Sequence, residues 1–312
     1  MSKKLVVVSQ AFSKQGQSII NSLRNNGGYS IRALTSRTLD TPQALKLVES
    51  GVEVVQADLK DKNSLVSAFS GAYAAFVVRP AIPPVVPNFR DVEFAALKTQ
   101  ADAAQEANVQ HAIVSMTDAP VDENGKTAIQ KYIEDLPLKY VSTMYLQFFY
   151  SNLIEFTPPK KQEDGSFVFA SPIEADIATP YVDPYTATGQ VFVEFLENPA
   201  VYNRVALTVA TESLTGPQIA ETFQRVTGHK ATYRVQTLEQ YLEASGFNAS
   251  PQYQYVGTVL YQHWVDSVKN PSVLKKNPPK LHSANQRTWE QFLQATKWQG
   301  ESFQDFKEKN NY

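Results

Sequence analysis

The chain contains no cysteine, which excludes disulfides, thiolate nucleophiles and cysteine-ligated zinc and suits a reducing cytoplasm. Four histidines (His111, His229, His263 and His282) are scattered without metal-ligand spacing, so no metal is expected. His111, beside a strand-like run, reads as a packing residue. The 29 basic and 31 acidic side chains leave a net charge of −2 with no dense Lys/Arg block. Direct nucleic-acid binding, which needs such a block, is therefore not expected. No apolar run approaches the length of a membrane span. The opening Met-Ser-Lys-Lys leads straight into a strand-like run, leaving no room for a signal peptide. These absences point to a cytoplasmic protein and are silent on entry to the nucleus and on oligomeric state. No nucleophile elbow and no Walker loop is visible. Glycine is scarce where it would matter most: in LVVVSQAFSKQGQSIINSL, Leu5 to Leu23, the spacing of a dinucleotide-binding loop falls on Gln10, Ser13 and Gly16.

What is present is an ordinary globular composition, 43% hydrophobic and 19% charged, enough for a large core. The Leu5–Val8 run followed by small and polar residues, then by Ile19, Ile20 and Leu23 at helical spacing, is a strand–turn–helix unit. In such a unit a helix N-terminus points backbone N–H groups at a pyrophosphate. Five further strand-like runs follow, at Ser30–Leu34, Val52–Gln56, Ala74–Val78, Ala112–Ser115 and Tyr140–Thr143. Helical patterns separate them at Gly16–Asn25, Thr41–Glu49, Lys62–Phe69, Val92–Ala107 and Thr127–Glu134. The alternation predicts an α/β fold, a doubly wound parallel sheet covered on both faces. Thr41-Pro42 reads as a capping hydroxyl before a proline at the first helical position. Ala81–Pro87 is a proline-rich loop at the carboxyl end of the fourth strand, the side on which open α/β sheets bind ligands. Beyond Asn152 the pattern loosens. A polar loop at Pro158–Gly165 precedes strands at Phe167–Ala170, Thr179–Val182, Val205–Ala210 and Ala231–Val235. Helices are expected at Thr186–Leu196, Thr215–Thr227, Leu238–Ala244, from Gln252 onward, and at Trp289–Thr296.

Taken in order, the segments QAFSKQGQSIINSL, RALTSR, GVEVVQADLKDKNSLVSAF, AAFVV, AQEANVQHAIVSM, GKTAIQKYI, QFFYSNL and ESLTGPQIAETFQRVTGHKATY resemble the NmrA-like family of atypical short-chain dehydrogenases/reductases. The resemblance covers most of the chain and rests on the order of individually weak motifs. It implies a Rossmann-type NAD(P)-binding domain over residues 1–152 and a smaller, partly helical substrate lobe over 153–312, interleaved with the first. Members include quinone and phenylpropanoid reductases. Others bind a dinucleotide without evident catalysis and act as redox-sensing regulators of transcription through protein partners.

The resemblance assigns the cofactor cradle to Gln10, Phe12, Ser13, Lys14, Gln15 and Gly16. Gly16 keeps the glycine that lets helix pack on strand, whereas Gln10 and Ser13 replace the turn glycine and the pyrophosphate-facing one. A structural turn that has lost its ligand is the competing reading. Arg37 matches an arginine that faces the adenosine 2′-phosphate, and no carboxylate stands at the second strand's end, so NADP(H) is favoured over NAD(H). Asp58 and Leu59 match the adenine-lining position, although a plain helix-capping aspartate would look the same. Val78 and Arg79 end the fourth strand, where the nicotinamide end would pass.

A short-chain reductase needs a hydroxyl residue, a tyrosine and a lysine. Ser115 and Thr117 are placed for the first and Lys126 matches the last, as a catalytic or merely ribose-binding group; Asp122 stands where the tyrosine would be. Phe148, Phe149 and Tyr150 match substrate-lining aromatics that would suit a quinone, and aromatics at such spacing are also core formers. The expected function is an NADPH-dependent oxidoreductase acting on a small quinone, enone or aldehyde. The alternative is a non-catalytic dinucleotide sensor that works through a regulatory protein partner.

Overall fold

A computed structural model describes residues 2–80, 82, 86, 88–116, 128–269, 281 and 286–310. Most of the proline-rich loop at 81–87, together with Thr117, Asp122, Lys126 and His282, lies outside the described residues.

The first half alternates as expected: β1 (Lys4–Val8), α1 (Lys14–Asn26), β2 (Tyr29–Thr35), α2 (Pro42–Glu49), β3 (Glu53–Gln56), α3 (Lys62–Phe69), β4 (Ala74–Val78), α4 (Phe89–Glu106), β5 (His111–Met116), α5 (Ala128–Glu134) and β6 (Tyr140–Leu146). The central strands β4 and β5 are fully buried runs, as a sheet sandwiched between helices requires, while the edge strand β3 is only partly buried. Along β1 and β4 successive side chains go to opposite faces. Val6, Val8, Ala74 and Phe76 pack with Ile19, Ile20 and Leu23 of α1, while Val7 and Ala75 pack with Leu65 and Phe69 of α3. Helix α2 starts as the sequence predicts, with the Thr41 hydroxyl accepting from the Ala44 amide at 3.3 Å and Pro42 in the first turn.

The second half contributes β7 (Phe148–Phe149), α6 (Asn152–Glu155), β8 (Lys160–Lys161), β9 (Phe167–Ser171), β10 (Thr179–Val182), α7 (Ala187–Glu197), β11 (Val205–Val209), β12 (Glu212–Leu214), α8 (Gly216–Thr227), β13 (Ala231–Val235), α9 (Leu238–Ala244), α10 (Pro251–Lys269), α11 (Trp289–Thr296) and α12 (Phe303–Asn310). The segment read as a polar loop contains β8, a two-residue exposed strand pairing Lys160 with Val168 and Lys161 with Phe167. Such a pair has no apolar alternation to announce it.

The main sheet runs β11-β6-β5-β4-β1-β2-β3 with every pairing parallel. This is a Rossmann-type doubly wound sheet in which the strand order reverses between β1 and β4, the place where such folds bind dinucleotides. Its outermost strand, β11, and the helix before it come from beyond residue 152. Helix α7 lies against α1 so closely that a Cβ at Gly189 would stand 2.1 Å from the Ser18 carbonyl, whose own side chain accepts from the Gly189 amide at 2.9 Å. Two three-stranded sheets, β12-β10-β7 and β13-β9-β8, share a separate aromatic core with α8, α11 and α12, built on Tyr150, Phe223, Trp289, Phe292 and Trp298.

Candidate functional site

The loop between β1 and α1 is shaped by three local facts. The Ala11 amide donates to the Leu34 carbonyl at 3.0 Å, pinning the loop to β2. Gln10 has φ 49°, the left-handed region that a glycine occupies freely and that costs another residue about 1 kcal/mol. Gly16 lies so close to the turn that a Cβ there would stand 2.3 Å from the Gln10 carbonyl oxygen and 2.9 Å from the Ala11 backbone. The turn thus combines a positive φ at a non-glycine residue with a close approach that only Gly16 permits. Ser13 has become the helix cap, its hydroxyl accepting from the Gly16 amide at 3.0 Å. Gln17 braces the turn by donating to the Phe12 carbonyl at 3.0 Å.

The backbone amides of Phe12, Lys14 and Gln15 have no acceptor among the described residues, and the buried Ser9 hydroxyl has no partner there either. Orphan donors at a 13-residue helix's positive end fit an anionic diphosphate.

Two side chains of this loop reach elsewhere. Lys14 forms an ion pair with Glu155 of α6, and its ammonium lies 5.2 Å from the Phe303 ring centre. Burial lowers the Lys14 pKa, and Glu155 opposes that shift. Gln15 spans the carboxyl end of the sheet to β5, where its Oε1 accepts from the buried Ser115 hydroxyl at 2.6 Å.

On the β2–β3 side, Arg37 is exposed, its backbone amide donating to the Thr35 hydroxyl at 3.0 Å and its guanidinium reaching Gln43 at 3.3 Å. Asp58 is exposed and accepts from the Lys60 amide at 2.9 Å, while Asp61 caps α3. The helix-capping reading of Asp58 therefore passes to Asp61. Leu59 packs against the cluster beneath β1 and α3. On the β4 side, Gln100 of α4 grips both backbone atoms of Val78, donating to its carbonyl at 2.9 Å and accepting from its amide at 3.4 Å. Arg79 is paired with the buried Glu93 at 3.0 Å.

The three aromatics divide. Phe148 stands 6.1 Å from Tyr181 and 6.2 Å from Trp264, ring centre to ring centre, on a small apolar cavity of about 30 Å³. Phe149 leans on the core of the main sheet. Tyr150 is fully buried, stacked on Tyr181, and donates its hydroxyl to Glu212 at 2.6 Å.

The structure thus gathers the cradle and Ser115 at one end of the sheet, puts Arg37 and Asp58 on one flank and Val78 and Arg79 on the other. Tyr150 stays in the second core. Sequence reasoning missed Gln100 and Glu155. Gln100 carried a signal, a polar residue on the buried stripe of α4 with Leu97, Ala101 and Ala104. Glu155 carried none, being 141 residues from its partner. Among the described residues no cluster of histidine or carboxylate side chains is placed to hold a metal, and no helix is long and apolar enough to cross a membrane.

Residues 2–293 match the model of the NmrA-like family. The chain is 26% identical over 255 residues to the NmrA-like family domain-containing oxidoreductase malD of Malbranchea aurantiaca, covering 74% of this chain and 75% of the relative. It is 27% identical over 256 residues to FrzB of Cladobotryum sp, a protein of the same description, with 73% and 75% covered. Among solved structures it resembles NmrA, a negative transcriptional regulator, in complex with NADP, with TM-score 0.71, 21% identity and 100% and 99% of the two chains covered. The NADPH-dependent quinone oxidoreductase QOR2 from Escherichia coli, complexed with NADPH, gives TM-score 0.70 and 17% identity, with 93% and 99% covered. At these identities the structural likeness speaks for the fold alone.

Proposed function

The chain belongs to the NmrA-like family, and on that premise we propose that it is an oxidoreductase that binds NADP(H) in preference to NAD(H) and reduces a small quinone, enone or aldehyde. The observation that carries this reading is the set of unspent amides at Phe12, Lys14 and Gln15. They lie at the point where a doubly wound sheet takes a diphosphate. Relatives bearing the name oxidoreductase and structural neighbours complexed with NADP or NADPH support it.

In this reading the loop amides hold the diphosphate, and Arg37 sets its planar donors against a 2′-phosphate. Asp58 and Leu59 border the adenine. Val78 and Arg79 border the other half of the ligand, with Val78 fixed by Gln100 and the Arg79 charge balanced by Glu93. The cofactor supplies hydride to the substrate when bound. Ser115 holds a proton beside the reacting oxygen, and Thr117 and Lys126, which follow β5 in sequence, are its proposed partners. Phe148 and Phe149 offer flat apolar surface to a quinone, and Tyr150 holds the lobe together. Residues 1–152 supply most of the dinucleotide layer and 153–312 the substrate lobe.

A second reading, a dinucleotide sensor with a protein partner, rests on Lys14. Its ammonium ties the phosphate loop to Glu155 in α6, so an anion at the loop competes with that tie and can alter the neighbouring surface.

Incubation with NADPH and a panel of quinones, enones and aldehydes, following loss of reduced nicotinamide absorbance, tests the first reading. Turnover above background with at least one member is expected. No turnover across the panel, together with dinucleotide-dependent capture of a partner, would favour the second.

A further inference from the structure

Between α1 and β5 a side chain lies across the cleft that the fold provides for a dinucleotide. β4 separates β1 from β5 in the sheet, so the 2.6 Å hydrogen bond from Ser115 on β5 to Gln15 in the first turn of α1 passes over the carboxyl end of β4. The two groups are 100 residues apart in sequence and belong to no common element, so the bond is tertiary. Gln15 is half-buried and Ser115 buried, which shields the bond from water. A ligand whose diphosphate rests on α1 has its adenosine half toward Arg37 and Asp58, beyond β2 and β3. Its other half must then run over β4 toward β5, along the line the Gln15–Ser115 bond occupies.

We propose that Gln15 bars the nicotinamide half of the cleft through its hydrogen bond to Ser115, so that a full dinucleotide binds only by displacing it while an adenosine-half ligand leaves it in place. The proposal rests on the dinucleotide reading above and deepens it, making Gln15 a specificity-determining residue. Breaking the bar also releases Ser115. While the bond stands, the serine hydrogen points at Gln15; once it is displaced, that hydrogen can be offered to a substrate oxygen. Arrival of the whole cofactor and readiness of the hydroxyl are thereby coupled.

Among the described residues, the neighbouring groups are engaged elsewhere. Val78 beneath it is held by Gln100, Arg79 is drawn toward Glu93, and Lys14, one residue away, is drawn toward Glu155. Removal of either partner therefore opens the passage without freeing a charge into it.

Calorimetric titration of the full chain and of Gln15→Ala and Ser115→Ala with NADP⁺ and with adenosine 2′,5′-bisphosphate tests the proposal. A neutral hydrogen bond contributes about 0.5–1.5 kcal/mol, so both variants should bind NADP⁺ roughly 2- to 10-fold more tightly than the wild type. Affinity for the bisphosphate should be unchanged. Weaker NADP⁺ binding in Gln15→Ala would make Gln15 a ligand-holding residue and overturn the bar. Equal changes for both ligands, or no change for either, would overturn it too and leave the dinucleotide reading standing. Binding of neither ligand to any of the three proteins would remove the dinucleotide reading and the bar with it.

Discussion

Gly16 sits so tightly beneath Gln10 that a methyl group on its α-carbon would stand 2.3 Å from the Gln10 carbonyl oxygen. That contact gives this position its own reason to be glycine: it requires bare space between helix and turn. Gly16→Ala should destabilise the fold by about 1–3 kcal/mol, the usual range for forcing a methyl group into a filled site. It should also weaken NADPH binding, because the helix can recover the space only by moving its amides. Urea unfolding and a parallel titration read the two effects.

Gln10 supplies the opposite case. Its left-handed backbone is strained for a residue with a side chain. Gln10→Gly should stabilise the protein by up to about 0.5 kcal/mol, the relief of strain being partly offset by the looser unfolded chain. A lower urea midpoint for the variant would show that the glutamine side chain makes a contact worth more than the strain.

Tyr150 is assigned to architecture. Its hydroxyl donates to Glu212, and burial, reinforced by that carboxylate, raises its pKa far above the ordinary value. Tyr150→Phe should cost about 1.5–3 kcal/mol, as for loss of a buried bond to a charged acceptor. Substrate KM with the best member of the quinone panel should not move. A raised KM at unchanged stability would return Tyr150 to the substrate site.

His111 at the start of β5 is fully buried, bonded to Ser142 at 2.8 Å, and burial pushes its imidazole down to about 4. In the unfolded chain the ring takes its proton near pH 6.5, while the folded protein refuses it until about pH 4. Stability should therefore fall as pH drops through that window and level off below it, by roughly 3 kcal/mol in all. His111→Gln, which cannot titrate there, should lack this component when unfolding free energies are compared from pH 7 to 4. Parallel curves for the two proteins would contradict it.

The sheet was legible because buried β-branched runs such as Leu5–Val8 and Ala74–Val78 alternate with amphipathic helices, a pattern with few topological solutions. The turn between β1 and α1 was legible as a location, since strand, turn and helix are contiguous. The contacts of its side chains were not, because their partners come from far along the chain. Ser115 meets Gln15 and Glu155 meets Lys14 across separations of 100 and 141 residues. No local spacing encodes such meetings. The same holds for Phe148 to Tyr150, three adjacent aromatics that the fold sends to different environments.

The central claim is that the orphan amides of Phe12, Lys14 and Gln15 still hold a diphosphate although two glycines are gone. Isothermal titration of the wild-type protein with NADPH, NADP⁺, NADH and NAD⁺ measures this directly. Saturable one-site binding is expected, tighter for the two 2′-phosphorylated dinucleotides through Arg37. No heat of binding from any of the four at large ligand excess would contradict the account.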